Sequence, residues 1–515
     1  MTGWLATPDS HVFSWALLNP DDMGVYVSAM NQGTHGKWLY HFTYSPEPWQ
    51  PRLMLTIYLL IGKITGLFAR PTVVWLHLWR TVFAILAMWA LIYWCRTIFP
   101  NNSRLQWTAW LIAIFAGGFG WLAILASPEA VRFTPDLASA EGSILIALFN
   151  TPHFASGIGL QALFFSFFAR LLTDETRVER WALLAAGTAV LNSLTYVYHL
   201  PVIGLVVGFT LLWLAIGVMV AQRKIPWRLW RLGAVIIMPL LPLLIYYLFG
   251  DNGDPYWIQY TQVDHVIAAP PFWGLLIGLG GVGILAVIGG RRWVKEKRPI
   301  LVPIWAVVQI GLLYLPGLQF SGRFGPGLGI PLAAMAAVGL ENGLLPSLAK
   351  NLNSQFIKKL TATPYTTARR IVLILLVPST LMSILLLVQG PRWQQAFPYY
   401  LPAADVAAMA WLGRQVDETA VTLTYYPAGN YLPRVYPGKV FMGQLDYTTN
   451  LDEKIALYEQ FWATMTPAQR RQFLAEWGIT HVLVGSYDAP FVPNPSVPEG
   501  SLIYERDAIK IWEID

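Results

Sequence analysis

Residues 201–221, PVIGLVVGFTLLWLAIGVMVA, contain no charged side chain and end beside a basic cluster, Arg223, Lys224, Arg228 and Arg231. A run of this length crosses the ~30 Å hydrocarbon core of a bilayer as an α-helix. Comparable apolar runs recur near 73–95, 105–126, 153–172, 181–199, 232–249, 271–290, 299–316, 324–344 and 371–389. The pattern predicts an α-helical polytopic membrane protein with ten transmembrane helices, or eleven if residues 51–69 also cross.

The composition agrees with a membrane protein. Of the 515 residues, 55% are hydrophobic and 12% are charged, whereas an average soluble domain is about a quarter charged. The single cysteine, Cys95, excludes an internal disulfide framework and a cysteine-based zinc site. The sequence contains no Walker A loop, dinucleotide fingerprint, HExxH or GxSxG motif, which disfavours ATP-driven transport by this chain.

The loops between the apolar runs predict the orientation in the membrane. Lys and Arg concentrate at 223–231, 291–298 and 350–370, and an excess of these residues marks the cytoplasmic side. We read the positive charge as topogenic and expect no nucleic-acid partner. The loops with Glu129, Asp136 and Glu141, and with Asp251, Asp254 and Asp264, should face outward.

Residues 1–72 are predicted to form an outer loop with interfacial or re-entrant helices. The segment 51–69 is apolar but contains Lys63 and two glycines, so we expect it to lie along the interface or to dip into it. The charged residues in 1–50 are mainly acidic, so we place this stretch on the outer side. Because no apolar run precedes them to carry them across, we expect a further helix before this start site.

After the transmembrane region, 73–389, the character of the sequence changes. Residues 390–515 contain 14 Asp/Glu against 9 Lys/Arg and are predicted to form a small extracytoplasmic α/β domain. Its predicted strands lie at 420–426 and 481–486, an amphipathic helix at 452–477, and a hairpin at 502–514.

The first outer segment is polar and aromatic, and its Asp21-Asp22 pair is the main candidate for chemistry. One interpretation is helix capping, because an Asp side chain accepts bonds from backbone N–H groups at a helix start. The other is that one carboxylate removes a proton from an acceptor hydroxyl or amine. The pair would also allow a divalent metal, although two adjacent carboxylates are weak support for one. Spacing alone leaves these alternatives open.

Other polar residues near predicted helix ends are candidate ligands of a phosphate. Arg323 has a five-donor fork suited to bidentate phosphate binding, or it lies at the membrane surface with its charge in water. His153 either contacts a phosphate or caps a helix, and His199 needs a partner at the end of its span. Lys37 would neutralise a pyrophosphate or be solvated. Arg80, near mid-span, should pair internally.

Two stretches carry a family resemblance. Residues 20–22, PDD, are followed by Tyr26, by Gly33 and Gly36, and by PEPWQPRLMLTIYLLIGKITGLF at 46–68. This order resembles the first external loop of GT-C-type membrane glycosyltransferases, the superfamily of dolichyl-phosphate-mannose-dependent mannosyltransferases and RgtA-like enzymes. GRFGPGLGIPLAAMAAVGL at 322–340 resembles a late span of the same family, in which an Arg and an aromatic residue precede the helix.

The resemblance implies an integral membrane enzyme that transfers a hexosyl or pentosyl group from a polyprenyl-phosphate donor at the outer face. It makes Asp21 the catalytic base, supported by Asp22, and Tyr26 and Arg323 fall at positions of its motifs. His153, His199 and Lys37 are further candidate substrate contacts from their residue types and positions alone. The implied partners are a lipid-linked sugar, a glycan, lipid or protein acceptor, and membrane lipids. The implied location is the plasma membrane, within a cell envelope.

A non-enzymatic function is the alternative, as a transporter of lipid-linked glycans or an assembly scaffold, because intramembrane charges and interrupted helices also occur in transporters. Inverted repeats, frequent in transporters, are not visible in this sequence. Residues 429–450, GNYLPRVYPGKVFMGQLDYTTN, are polar and aromatic enough to bind a glycan as well.

Overall fold

The computed structural model describes residues 2–69, 72–137, 139–250, 253–264, 266–492 and 495–514. The chain divides into two compact units by internal packing. Unit 1 comprises Met1–Trp79, Asp251–Val266 and Leu387–Asp515, and unit 2 comprises Arg80–Gly250 and Ile267–Leu386. Asp251, predicted in an outward loop, lies outside the described residues. The regions 1–72, 73–389 and 390–515 concern placement relative to a membrane and stay a prediction.

The described part of the chain is mostly helical. In chain order the helices are α1 Thr2–Leu5, α2 Met23–Thr34, α3 Thr56–Gly66, α4 Val73–Ile98, α5 Ser103–Phe115, α6 Gly120–Ala126, α7 Ile144–Asn150, α8 Pro152–Thr173, α9 Val178–Thr195, α10 His199–Gln222, α11 Trp227–Ile237, α12 Leu241–Phe249, α13 Pro255–Gln259, α14 Phe272–Lys295, α15 Leu301–Leu313, α16 Gly329–Val338, α17 Leu345–Ser347, α18 Ala349–Leu352, α19 Gln355–Leu360, α20 Pro364–Leu375, α21 Pro378–Trp393, α22 Ala403–Leu412, α23 Tyr426–Tyr431, α24 Leu451–Ala463 and α25 Pro467–Glu476.

Among the described residues, eight helical stretches are long and apolar enough to cross a membrane. They are Val73–Ile98, Ser103–Ala126, Pro152–Thr173, His199–Gln222, Trp227–Phe249, Phe272–Lys295, Gly329–Ser347 and Pro364–Trp393. Each coincides with one of the predicted spans, and the protein is a multi-pass membrane protein.

Two predicted spans form helices that are not both long enough and apolar enough to cross a membrane. The segment 181–199 forms α9, which has 18 residues but includes Glu179, Arg180 and Asn192. The segment 299–316 forms α15, which has 13 residues and so extends only about 20 Å. The interfacial candidate 51–69 forms α3, with 11 residues, which is also too short to cross a bilayer as a single helix.

Close helix packing in unit 2 depends on glycines. A Cβ on Gly289 of α14 would lie 1.7 Å from the carbonyl oxygen of Met335 in α16. A Cβ on Gly339 would lie 1.9 Å from the carbonyl oxygen of Leu285. Only residues without a side chain allow these two backbones to approach so closely, as is common between helices in membranes.

A helix interruption in unit 2 is stabilised by a buried acid. Between α5 and α6, the backbone N–H groups of Gly118 and Gly120 donate to Asp136 Oδ2, at 2.9 and 3.1 Å. Asp136 is buried, and it satisfies donors that the broken helix would otherwise leave unpaired.

A small mixed sheet lies in unit 1. Its strands are β3 Val421–Leu423, β4 Lys439–Val440, β5 His481–Val484, β6 Gly500–Arg506 and β7 Ile509–Ile514, in the order β4-β3-β5-β7-β6. β3 is parallel to β4 and β5, whereas β7 is antiparallel to β5 and β6. The two predicted strands and the predicted hairpin are therefore present.

The helical stretch predicted over 452–477 is present, but it is divided into two helices, α24 and α25. Pro467 occupies the first turn of α25, and Thr466 and Gln469 form a capping box at its start. Proline cannot continue a preceding helix but fits the first turn of the next one. Gly478 follows with φ +60°, so the helical region ends near the predicted position.

The N-terminal and C-terminal segments of unit 1 pack together. β1, His11–Phe13, pairs with β2, Tyr400–Pro402, in an antiparallel two-stranded sheet. Aromatic residues add a second contact, with Tyr40 and Phe42 against Tyr447. This packing places the predicted Asp pair next to residues from the C-terminal segment.

Candidate functional site

Asp21 lies in a single 3-10 turn, Pro20–Asp22, immediately before α2. The turn is preceded by Asn19 in a left-handed conformation, with φ 48°. The Tyr426 hydroxyl donates to Asp21 Oδ2 over 2.6 Å, and Asn430 Nδ2 donates to Asp21 Oδ1 over 3.0 Å. Asn430 Nδ2 also contacts the Asp21 carbonyl at 3.1 Å. The C-terminal segment therefore fixes both carboxylate oxygens.

The residues that face Asp21 recur every four positions, at 426, 430 and 434. They lie on α23 and the 3-10 turn Leu432–Arg434 that continues it, so they share one face. Arg434 is only 5% exposed, packs over the Tyr431 ring at 4.6 Å and approaches the Pro20 carbonyl at 3.5 Å. Its Nε has no hydrogen-bond partner among the described residues.

The charge of Asp21 is set by opposing effects. Burial raises the pKa of Asp21, whereas the hydrogen bond from Tyr426 and the positive charge of Arg434 lower it. The nearby carboxylate of Asp446 adds a smaller effect that raises the pKa. The net direction is upward, so Asp21 is a stronger base than an ordinary carboxylate.

Asp22 has a different partner, because Gln444 Nε2 donates to its Oδ1 at 2.9 Å. Asp22 occupies the cap position of α2, but its side chain makes no capping hydrogen bond. Asn19 likewise makes none at the preceding turn. Both carboxylates accept hydrogen bonds from the C-terminal segment, which argues against the capping interpretation.

The other predicted site residues of unit 1, Tyr26 and Lys37, contact residues other than the Asp pair. Tyr26 stacks on Tyr58 of α3, with ring centroids 4.5 Å apart and planes 13° from parallel. Lys37 Nζ pairs with Glu418 Oε2 at 2.9 Å. Tyr26 therefore contributes to packing α2 on α3, and Lys37 is balanced by an acid that sequence reasoning did not connect with it.

The Asp21 carboxylate accepts hydrogen bonds at both oxygens, Oδ2 from Tyr426 and Oδ1 from Asn430. A divalent metal at the carboxylate pair stays a prediction. Within the described ranges, no group of three or more His, Cys, Asp or Glu side chains is placed to hold a metal ion.

In unit 2, the structure brings Arg323 and His153 to the same tyrosine. Arg323 Nη1 pairs with Glu141 Oε1 at 3.0 Å, and the Tyr196 hydroxyl donates to the Arg323 carbonyl at 3.0 Å. His153 stacks parallel to the Tyr196 ring, 6.0 Å between centroids, while His153 Nδ1 lies 3.0 Å from Thr151 Oγ1.

The backbone around Arg323 is held by side chains from other helices. Gln309 Nε2 donates to the carbonyls of Phe324 and Pro326, each at 2.7 Å. His199 is fully buried and lies between Asn192 Oδ1, 2.9 Å from its Nδ1, and the Pro326 carbonyl, 3.2 Å from its Nε2. Both ring nitrogens of His199 are thus engaged within the protein, which makes it a support of the Arg323 turn.

Arg80, expected to pair internally, donates from Nη1 to the Phe149 carbonyl at 2.8 Å, which confirms that expectation. Sequence reasoning missed the residues that act on Asp21, which are Tyr426 and Asn430 through hydrogen bonds and Arg434 through its charge. Two of them lie in 429–450, the segment singled out as polar and aromatic. The four-residue spacing in YPAGNYLPR, at 426–434, is the signal that would have found them.

The chain resembles two solved membrane proteins. The apo oligosaccharyltransferase of Archaeoglobus fulgidus aligns with a TM-score of 0.52 and 12% identity, over 94% of this chain and 68% of that one. ArnT from Cupriavidus metallidurans aligns with a TM-score of 0.51, at 11% identity for the apo state and 13% for the complex with undecaprenyl phosphate. Both ArnT alignments cover 99% of this chain and 95% of that one.

No protein-family profile and no curated protein sequence matches the chain. The structural likeness, at such low identity, concerns the fold. Both solved proteins are GT-C membrane glycosyltransferases, and the predicted resemblance rested on the segment that contains Asp21 and on 322–340. The chain therefore has the fold of the GT-C-type membrane glycosyltransferases.

Proposed function

We propose that the protein is an integral membrane glycosyltransferase that moves a sugar from a polyprenyl-phosphate donor to an acceptor. The contact of Asp21 with Tyr426 and Asn430 carries this proposal, because it presents a half-buried carboxylate in a fixed orientation. A carboxylate of raised basicity suits a general base. The fold shared with glycosyltransferases agrees with this assignment.

In the proposed reaction, the acceptor oxygen or nitrogen forms a bond to the anomeric carbon of the donor sugar. The bond between that carbon and the phosphate oxygen breaks, and its electron pair leaves with the polyprenyl phosphate. The acceptor proton passes to Asp21. Since the donor is already activated as a phosphoester, the step requires alignment of the reactants, which by itself contributes strongly to rate.

Arg323 is proposed to bind the phosphate of the lipid. Its guanidinium is paired with Glu141. Its backbone carbonyl accepts a hydrogen bond from the Tyr196 hydroxyl, which holds the main chain of Arg323 in place. An arginine fork can stabilise the charge that develops on a leaving phosphate. His153, stacked on Tyr196, is a further candidate for that contact, while Asp22, Tyr26, His199 and Lys37 are proposed to support the two sites.

The reaction is placed at the outer face of the plasma membrane, with residues 390–515 extracytoplasmic. The loop charges and the location of Asp21 in unit 1, which also contains the predicted outer domain, support this part of the proposal. The acceptor is a glycan, a lipid or a protein.

The test of the base is Asp21→Asn in the full chain, assayed for transfer from native polyprenyl-phosphate sugars in membranes. We expect transfer to fall by about 10²-fold or more, with expression and folding retained. Asp507→Asn is the matched control, since Asp507 is exposed in the same unit and its φ of 56° is tolerated by Asn. Full activity of Asp21→Asn would remove the proposed base.

The test of the lipid site is native mass spectrometry of the protein extracted with its own lipids. Retention of a polyprenyl phosphate should be lost in Arg323→Ala and kept in Arg132→Ala, an arginine of unit 2 with a 73% exposed side chain. If neither the unmodified protein nor the control retains such a lipid while ordinary phospholipids remain bound, the transport or scaffold function is favoured instead.

A further inference from the structure

A cavity of about 490 Å³ lies in unit 1 beside the C-terminal half of α2. Ser28, Asn31 and Gln32 of α2 and His35, directly after α2, form one wall, and the three and four residue spacing places the helical ones on one face. The remaining walls come from the loops around 37–43, 413–418 and 436–439. Asp21 and its partners Tyr426 and Asn430 do not line this cavity, which we call the α2 cavity.

The lining of the α2 cavity has an excess of basic groups. Lys37 and Lys439 carry positive charge there against a single acid, Glu418, and His35 and His41 also line the cavity. Burial and the charge of Lys37 lower the pKa of His41, so its ring is a neutral N–H donor. A concave surface with one predominant sign of charge concentrates ligands of the opposite sign. The cavity is therefore suited to an anion.

Three of these basic groups have capacity for a ligand. The Lys37–Glu418 pair is partly exposed, at 31% and 54%, and such pairs are weak enough for another anion to compete. Lys439 Nζ donates to the carbonyls of Pro46 and Glu47, and an ammonium group has three donors. His41 uses its backbone atoms to pair with Gln32, and its ring has no hydrogen-bond partner among the described residues.

The other groups of the lining suit a hydroxylated ligand. The Ser28 and Thr43 hydroxyls pair with each other at 3.2 Å, which leaves acceptor positions on both oxygens. Phe42 and Tyr436 are also among the residues that line the cavity. A few polar groups among apolar and aromatic ones, in a volume of this size, are typical of small-molecule sites.

One hydrogen bond joins the wall of the α2 cavity to Arg434, the residue whose charge acts on the proposed base. Asn31 Nδ2, in the cavity wall, donates to the carbonyl of Arg434, whose charge acts on Asp21. Asn31 follows Asp21 by ten positions, and a helix rises 1.5 Å per residue, so the two are about 15 Å apart along the axis. A ligand unit in the cavity is thus a different unit from the one that reacts at Asp21.

We propose that the α2 cavity binds an anionic saccharide, a sugar unit bearing a carboxylate or a phosphate, that forms part of the acceptor. The inference rests on the proposed glycosyltransferase function, because it specifies the acceptor of that reaction. The carboxylate or phosphate contacts Lys37, His41 and Lys439, and the sugar hydroxyls contact the polar face of α2.

The test is isothermal titration of the full chain in detergent, without donor, with trigalacturonic acid as the probe. Uncharged maltotriose and inorganic phosphate are the comparison ligands. We expect trigalacturonic acid to bind most tightly of the three. Lys439→Gln should weaken its binding about tenfold to a hundredfold, because one charge-assisted hydrogen bond is lost.

Two further variants keep the test independent of folding defects. Glu418→Gln removes the competing acid at an exposed position and should strengthen trigalacturonic acid binding severalfold. Lys510→Gln is the matched control, since Lys510 pairs with Glu505 elsewhere in unit 1 and should leave binding unchanged. Folding of each variant is compared by circular dichroism.

The outcomes separate this inference from the proposed function. Equal binding of phosphate and trigalacturonic acid would leave an anion site and overturn the saccharide assignment. Absence of trigalacturonic acid binding, or binding insensitive to both Lys439→Gln and Glu418→Gln, would overturn the inference entirely. Asp21→Asn should bind the probe normally, so loss of transfer in that variant reports on the base and not on the cavity.

Discussion

The Tyr426 hydroxyl donates to Asp21 Oδ2 over 2.6 Å, although the two residues are 405 positions apart in the chain. The proposed base is therefore completed by the segment that follows the last membrane span. Tyr426 both orients the carboxylate and opposes the effect of burial on its pKa.

Tyr426→Phe removes the hydroxyl while keeping the ring. Because the hydrogen bond from Tyr426 lowers the pKa of Asp21, its loss should raise that pKa further. A general base must be ionised, so the acidic limb of the pH–rate profile should move to higher pH. Activity should recover at high pH. An unmoved limb would show that Tyr426 does not act on the base.

Arg434→Met tests the second group that lowers the pKa of Asp21. The side chain is 5% exposed, so loss of its charge is poorly compensated by water. The acidic limb should again move to higher pH, and Arg434→Lys should restore part of the shift because it keeps the charge. Measurement of both profiles separates an electrostatic effect from a packing defect, which would lower the rate equally at every pH.

Gln309→Leu removes the donor that holds the Phe324 and Pro326 carbonyls. The Phe324 carbonyl then loses its donor, which costs about 1–3 kcal/mol, whereas the Pro326 carbonyl keeps its contact with His199 Nε2. We expect a lower unfolding temperature and reduced retention of polyprenyl phosphate in native mass spectra. Gln222→Leu, at an exposed position near the end of α10, should change neither. Retention unchanged in Gln309→Leu would mean that the turn does not position Arg323 for the lipid.

Asp488 predicts a pH dependence of stability in unit 1. Burial raises the pKa of Asp488 to about 6, opposed by bonds from Tyr458, Gly485 and Tyr425. The folded chain then binds a proton between about pH 4 and 6 that the unfolded chain releases, so stability is greatest below this range and falls as pH rises through about 6.

Asp488→Asn, an uncharged mimic of the protonated acid, should abolish this contribution. The difference in unfolding temperature between the variant and the unmodified protein should change between pH 4 and 6 and stay constant above it. The measurement is thermal unfolding of the full chain in detergent across pH 4–8. A difference that does not vary with pH would contradict the assignment to Asp488.

Some of this architecture was predictable because it depends on local properties of the chain. The spans follow from the summed hydropathy of consecutive residues, which lipid selects directly. The hairpin near 502–514 follows from short-range alternation. The break at Pro467 was missed although its signal is also local, because the helical periodicity on both sides was read as one segment.

Other features depended on distant residues. The PDD motif identified Asp21 as a candidate, but its chemistry depends on Tyr426, Asn430 and Arg434, which only tertiary packing brings to it. His199 illustrates the same limit, since its polar character was visible while its engagement by Asn192 and Pro326 was not.

The sequence by itself determined the membrane-spanning class, the small α/β region and the segment in which the candidate base lies. Hydropathy, turn residues and short motifs act over a few positions, so they can be read along the chain. The tertiary structure decided which groups set the charge of Asp21, which side chains hold the turn of Arg323, and where a basic cavity forms beside α2. Electrostatic and hydrogen-bond effects depend on distances in space, and these distances are set by packing between segments hundreds of residues apart.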